Sequence, residues 1–210
     1  MAFRIVQTLI PAPHGQLESV LFLPRDPERI LIAMHPHPLH GGTLHNKVTY
    51  ALADAGRETG HLSIRFNFRG VGKSTGEYGE TFGEAEDLLA VLEWCQTEYG
   101  PLPVTLTGFS FGSRTLLNFL RNYAFKPEKL VFAGLPVTFF GLIPESFLLP
   151  APALFIQGDQ DEFVSPEAMK QFLTDSGWQS HQLTILPGCD HFFNRHIHTF
   201  KHQVCDFLTT

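Results

Sequence analysis

Short apolar runs alternate with stretches of helical spacing along most of the chain, and this alternation restricts the fold more than any other feature. Apolar runs predict strands over residues 30–34, 61–66, 104–109, 130–133, 153–157 and 182–186. The run at residues 30–34 is wholly apolar, which is typical of a strand buried on both faces of a sheet. Helical spacing predicts helices over residues 47–58, 84–99, 111–123, 166–176 and 193–208. The sequence therefore predicts an α/β fold, a mostly parallel twisted sheet with helices on both faces.

The residues before this alternation predict a β-hairpin. Strands over Phe3–Ile10 and Leu17–Leu23 flank a turn rich in proline and glycine at residues 11–15. We find no internal repeat, linker or shift in composition, so residues 1–210 are predicted to form a single α/β domain. Glycines and prolines divide the apolar segment 130–158 into pieces too short to span a membrane. We interpret that segment as two buried strands joined by a loop.

The composition limits the classes of function. Of the 210 residues, 43% are hydrophobic and 17% are charged, which suits a large buried core and excludes a disordered chain. The formal net charge of −6 disfavours binding to nucleic acid or to an anionic membrane surface. Three cysteines without a close pair predict neither a disulfide framework nor a CxxC site. The N-terminus lacks a signal-peptide pattern, so we expect a cytoplasmic protein and leave a homodimer open.

The motif G-x-S-x-G at residues 108–112 carries the strongest chemical signal in the sequence. It lies between a predicted strand and a predicted helix, the context in which this motif presents a nucleophilic serine. Glycines beside the serine allow a sharp turn that exposes its hydroxyl group, and the start of the following helix favours developing negative charge. We predict Ser110 as the nucleophile.

A nucleophilic serine needs a base, and the base needs a carboxylate that orients it. In this context the three are expected in the chain order Ser, Asp, His, on loops that follow strands. We predict Asp161 as the orienting carboxylate because it lies at the tip of the loop after the strand 153–157. Asp159 is interpreted as a turn residue that bonds its own backbone, and Glu162 as a solvated surface acid.

His191 follows the predicted strand 182–186 and is the predicted base. Asp190 precedes an apolar helix start and is interpreted as the cap of that helix. His196 and His198 are interpreted as exposed surface residues. Cys189 is interpreted as a small buried side chain, because a serine with a complete set of partners is already present.

The loop at residues 35–43 is predicted to supply a backbone N–H to the oxyanion, together with the N–H of Phe111 after the nucleophile. Pro36 and Pro38 have no N–H to donate. The N–H of His37 is therefore the first candidate and that of Leu39 the second. The two prolines are expected to hold the loop rigid.

Two further patterns suggest other functions and are set aside. Residues 67–74 nearly match a phosphate-binding loop, but Asn67 replaces the first glycine and no helix is predicted to follow. The histidines of residues 35–40 resemble part of a zinc motif, but Leu39 stands where a carboxylate is needed, so we expect a rigid loop with one structural histidine. Neither a cofactor nor a metal ion is predicted.

Five segments, taken in chain order, resemble the α/β-hydrolase superfamily, in particular its small bacterial serine hydrolases near dienelactone hydrolase. The resemblance implies an α/β-hydrolase fold with Ser110, Asp161 and His191 as nucleophile, acid and base. The segments are HPHPLHGGT at 35–43, RFNFRGVGKSTGE at 65–77, GFSFG at 108–112, GDQDEFV at 158–164 and GCDHFF at 188–193.

The chain departs from many members of that superfamily because residues 135–152 leave no room for a large cap domain. A short aromatic flap, Phe139–Phe147, is expected to line an acyl pocket or a partner interface, beside an open site. We predict a cofactor-free serine hydrolase that cleaves an ester or thioester of a small-molecule substrate through an acyl-enzyme. The alternatives are a peptidase or amidase with the same residues, a lactone hydrolase, and a non-catalytic binding module with this fold.

Overall fold

The computed structural model describes residues 2–139 and 148–210. Residues 140–147, most of the predicted flap, lie outside the described residues. The strands are β1 (Phe3–Ala12), β2 (Gly15–Pro24), β3 (Ile30–Met34), β4 (Leu62–Phe66), β5 (Val104–Phe109), β6 (Lys129–Ala133), β7 (Ala153–Gly158) and β8 (His181–Leu186). The helices are α1 (Lys47–Glu58), α2 (Phe82–Tyr99), α3 (Phe111–Asn122), α4 (Pro166–Ser176) and α5 (Ile197–Thr209).

The strands form one eight-stranded sheet in the order β1-β2-β4-β3-β5-β6-β7-β8. The predicted hairpin is confirmed, because β1 pairs antiparallel with β2, which in turn pairs antiparallel with β4. All pairs from β4 through β8 are parallel. The segment 130–158 forms β6 and β7, as expected. Parallel pairing places the carboxyl ends of these strands, and the loops that follow them, at one edge of the sheet.

Helices cover both faces of the sheet, as predicted. On one face α1 and α5 pack together over Leu31 and Ala33 of β3, and on the other α2, α3 and α4 contribute to the core around Ile30, Ile32 and Met34. Side chains alternate between the two faces of a strand, so one short apolar run supplies both cores. Among the described residues, no helix has the length and apolar character needed to cross a membrane.

The start of the last helix differs from the prediction. Helix α5 begins at Ile197, not at residue 193, because Phe193 (φ 53°) and Arg195 (φ 62°) have left-handed backbone conformations that a helix does not accommodate. The prediction that Asp190 caps this helix is therefore wrong. Its carboxylate instead accepts a hydrogen bond from the N–H of Asn194 (2.8 Å) within the loop that precedes α5.

The segment that resembled a phosphate-binding loop is part of the loop after β4, and hydrogen bonds attach it to strand β2. The Ser74 hydroxyl donates to Asn67 O (2.7 Å) and accepts from the Glu18 N–H (2.9 Å). The Glu18 carboxylate accepts from the N–H of Lys73 (2.9 Å) and from Asn67 Nδ2 (2.8 Å). Helix α2 begins only at Phe82, so it does not follow Ser74 directly as the helix of a phosphate-binding loop would. The Ser74 hydroxyl and the Lys73 N–H, which a phosphate-binding loop would turn toward its ligand, are therefore engaged within the protein.

Replacing Ser74 by alanine is expected to lower the free energy of unfolding by about 1–3 kcal/mol, because a buried hydroxyl with two partners is lost. Chemical denaturation measures the change. Thr97→Ala is the matched control, since that hydroxyl lies on the exposed side of α2 and bonds only Glu93 O of its own helix. Equal stability of the Ser74→Ala and Thr97→Ala proteins would contradict the assignment.

Candidate active site

Ser110 lies on a sharp turn between β5 and α3, with φ 52° and ψ −115°. Its N–H donates to Ala133 O (2.8 Å), which holds the turn against β6. A side chain at either flanking glycine would meet backbone, since a Cβ on Gly108 would overlap Gly112 and a Cβ on Gly112 would lie 2.6 Å from Met34 O. The glycines of the motif are therefore required by close backbone packing, as predicted from the sequence.

Three predicted residues from distant parts of the chain meet in one line of hydrogen bonds. His191 Nε2 lies 3.0 Å from Ser110 Oγ, and His191 Nδ1 lies 2.7 Å from Asp161 Oδ2. The His191 and Asp161 side chains are buried, with little access to water. His196 is half-buried and His198 exposed, at the start of α5. This geometry allows a proton to pass from the serine to the imidazole while the carboxylate orients the ring.

The Asp161 carboxylate is held by four donors. Oδ1 accepts from the N–H groups of Phe163 (2.8 Å) and Val164 (3.0 Å). Oδ2 accepts from Gln157 Nε2 (2.5 Å) as well as from the His191 ring. Two of these donors belong to the backbone of the same loop, so the carboxylate is fixed before any substrate binds.

The two acids that compete with Asp161 have other partners. Asp159 Oδ1 accepts from the N–H of Gly188 (2.7 Å), so it ties the loop after β8 to the loop after β7 and does not bond its own turn as expected. Glu162 is exposed, as expected, and its carboxylate also accepts from the backbone N–H of His191 (3.2 Å). Burial raises the pKa of the Cys189 thiol to about 11, which agrees with a packing role for this side chain.

The loop after β3 brings His37 beside Ser110 and Phe111 at the wall of a cavity. A short 3-10 helix at Pro38–His40 follows His37. The N–H of Leu39 donates to His37 Nδ1 (3.2 Å), so the second candidate oxyanion donor is already engaged within the loop. The backbone N–H groups of His37 and Phe111 remain the predicted hydrogen-bond donors to the oxyanion.

His35 is the structural histidine of this loop, which sequence reasoning expected without identifying the residue. Its ring is fully buried, with Nδ1 2.6 Å from Pro36 O and Nε2 accepting from the Phe68 N–H (3.0 Å). Both ring nitrogens are thus engaged, and neither is available to a metal ion. Burial lowers the pKa of His35 from 6.5 to about 4, so the ring is neutral at physiological pH.

The cavity beside Ser110 has a volume of about 390 Å³ and is lined mainly by apolar and aromatic groups. Three of the phenylalanines are partly exposed, and Phe163 and Phe192 contact the His191 ring edge-on. Phe139 of the predicted flap belongs to this lining. The lining residues are Pro36, His37, His40, Gly41, Gly42, Asn46, Ser110, Phe111, Pro136, Phe139, Phe163, His191 and Phe192.

Comparison with known proteins places the chain in a family. A family model for the alpha/beta hydrolase fold matches residues 39–136. A solved alpha-beta serine hydrolase homologue from Coxiella burnetii is 38% identical, with a TM-score of 0.89 over 97% of both chains. A lidless serine hydrolase from Xanthomonas campestris is 33% identical, with a TM-score of 0.88 over 97% of this chain and 93% of its own.

A protein of Rickettsia prowazekii is similar along nearly its whole length, 33% identical over 214 residues that cover 97% of this chain and 89% of the relative. The chain therefore belongs to the α/β-hydrolase family, as its ordered motifs predicted. The two solved relatives named above are described as a serine hydrolase homologue and as a serine hydrolase without a lid.

Because His35 is buried and neutral, we expect the free energy of unfolding to fall in acid. Because the pKa of His35 is lower in the folded than in the unfolded chain, its contribution is complete above pH 6.5 and is lost as the pH falls toward 4. The loss is on the order of 3 kcal/mol. Urea unfolding of the native and His35→Gln proteins between pH 7.5 and 4 isolates this contribution. A native-minus-variant difference that is constant with pH would contradict it.

Proposed function

We propose that the protein hydrolyses a carboxylic ester or thioester of a small molecule through an acyl-enzyme on Ser110. The observation that carries the proposal is the continuous hydrogen-bonded line from Asp161 through His191 to Ser110, beside an apolar cavity. A nucleophile, a base and an orienting carboxylate in this order are the working parts of acyl transfer by serine. The relatives described as serine hydrolases support the same class of reaction.

In the first half of the reaction, Ser110 Oγ attacks the acyl carbonyl carbon while its proton passes to His191 Nε2. Asp161 accepts the hydrogen bond from Nδ1 and stabilises the imidazolium ion. The carbonyl oxygen becomes an oxyanion and accepts hydrogen bonds from the backbone N–H groups of Phe111 and His37. The tetrahedral intermediate then expels the alcohol or thiol, which takes its proton from His191, and the acyl group stays on Ser110.

In the second half, His191 removes a proton from a water molecule that attacks the acyl-enzyme. The second tetrahedral intermediate collapses with return of the proton to Ser110 Oγ, and the carboxylic acid leaves. No step is a redox change, because the acyl carbon exchanges one bond to oxygen or sulfur for another bond to oxygen, and the protons exchanged between Ser110, His191 and water balance over the cycle.

The cavity supports a neutral, apolar acyl group. The described residues around it include no lysine or arginine that would pair with a substrate carboxylate. A volume of about 390 Å³ suits a small ligand. Ester, thioester, lactone and amide bonds can all be cleaved by these steps, so an assay has to determine which type of bond the protein cleaves. The cytoplasmic location and a homodimer stay predictions.

Intact-mass detection of fluorophosphonate labelling is the first test. We expect one adduct on the native protein and none on Ser110→Ala, because only a serine activated by His191 reacts rapidly. The native protein is then assayed against butyrate joined as an oxygen ester, a thioester and an anilide. We expect turnover of the first two. A folded native protein that takes no label would overturn the catalytic proposal and favour a binding module.

The identity of the carboxylate is tested by Asp161→Asn, which removes the charge that orients and stabilises protonated His191. We expect kcat to fall by about 10³–10⁴-fold. Asp159→Asn is the matched control, since this neighbouring acid bonds the backbone of the loop after β8 and should keep kcat within about threefold. A larger loss in Asp159→Asn than in Asp161→Asn would reverse the assignment.

A further inference from the structure

In the loop after β3, the buried His35 directly precedes the Pro36–His37 peptide group, and both Pro36 and His37 line the cavity. We propose that His35 is a positioning residue, which turns the Pro36–His37 peptide so that the His37 N–H faces the oxyanion. The inference rests on the proposed function and extends it to a residue that touches neither the substrate nor Ser110.

The hydrogen bonds of the ring determine which nitrogen carries the proton. The Phe68 N–H points at Nε2 (3.0 Å) and can only donate, so Nε2 carries no proton. The proton of the neutral ring is then on Nδ1, which lies 2.6 Å from Pro36 O and donates to it. The Phe68 ring lies against the imidazole, with centroids 4.5 Å apart, and keeps water away. His35 therefore presents one fixed N–H donor to Pro36 O.

The carbonyl of Pro36 and the N–H of His37 belong to one planar peptide unit. In a trans peptide these two groups point in opposite directions. A donor that holds Pro36 O toward the His35 ring therefore directs the His37 N–H away from that ring. Pro36 and His37 both line the cavity that contains Ser110, so this orientation bears on the reacting carbonyl.

The rest of the loop is anchored independently of His35. His37 O accepts from the N–H groups of His40 (3.1 Å) and Gly42 (3.0 Å). A Cβ on Gly42 would overlap Pro36 O, so backbone closes over the other side of that carbonyl. With these contacts in place, loss of the His35 ring N–H takes that donor from Pro36 O and lets the Pro36–His37 peptide tilt, while the surrounding loop keeps its path.

Two amide substitutions separate the two hydrogen bonds of the ring. The Asn side chain places its NH₂ group near the position of Nδ1, so His35→Asn keeps a donor for Pro36 O and loses the acceptor for Phe68. The Gln side chain reaches the position of Nε2, so His35→Gln keeps an acceptor for Phe68 and loses the donor. Both variants remove the same aromatic packing, so each controls for the other.

With p-nitrophenyl butyrate as the probe, we expect His35→Gln to lower kcat by about 10- to 100-fold, part of the loss caused by removing an oxyanion donor. KM should change by less than about threefold, because the donor acts on the transition state. His35→Asn should keep kcat within about threefold of native. Equal loss of kcat in the two variants, in step with their melting temperatures, would overturn the proposal, as would native kcat in both.

A spectroscopic measurement tests the same point without turnover. In ¹⁵N-labelled protein, the His37 amide proton should shift downfield when a fluorophosphonate forms a tetrahedral adduct on Ser110. We expect that shift in the native and His35→Asn proteins and a much smaller one in His35→Gln. Absence of the adduct from the native protein would overturn the proposed function and this inference with it. An adduct with equal His37 shifts in all three proteins would overturn the role of His35 alone.

Discussion

Backbone segments at the carboxyl edge of the sheet approach each other so closely that a single methyl group has no room between them. A Cβ on Gly112 would lie 2.6 Å from Met34 O, which locks the start of α3 against the end of β3. A Cβ on Gly158 would overlap Cys189 O, which locks the end of β7 against the loop after β8. Close-packed backbone hardly deforms, so these contacts help to set the distances between the side chains of the candidate active site. The site geometry therefore depends on glycines that take no part in the chemistry.

Backbone groups also do most of the positioning of the polar atoms. Two backbone N–H groups hold the Asp161 carboxylate, and another backbone N–H determines the tautomer of His35. A backbone donor in a packed loop has little conformational entropy left to lose when a substrate binds. Burial strengthens these bonds, because water does not compete for them. The proposed acyl transfer would benefit, since the groups that stabilise charge are in place before charge develops.

The sequence was sufficient for features that depend on local pattern. Short apolar runs predicted the parallel strands, and the G-x-S-x-G motif at residues 108–112 predicted the sharp turn from strand to helix on which Ser110 lies. The start of α5 was missed because the left-handed conformations of Phe193 and Arg195 leave no mark on hydrophobic spacing. The proposed role of His35 depends on the N–H of Phe68, 33 residues further along the chain. Partners that meet only through the fold cannot be assigned from a single sequence.

The left-handed backbone of Ser110 has a consequence for how such a protein changes over time. For a residue with a Cβ, this conformation raises the free energy of the folded state by on the order of 1–3 kcal/mol, and glycine would avoid most of that strain. Natural proteins have total stabilities of only about 5–15 kcal/mol, so the difference is large. A copy of this gene released from selection for catalysis would gain stability by exchanging Ser110 for glycine. The protein with serine at this position is thus less stable than the protein with glycine, and selection for folding alone would not retain the serine.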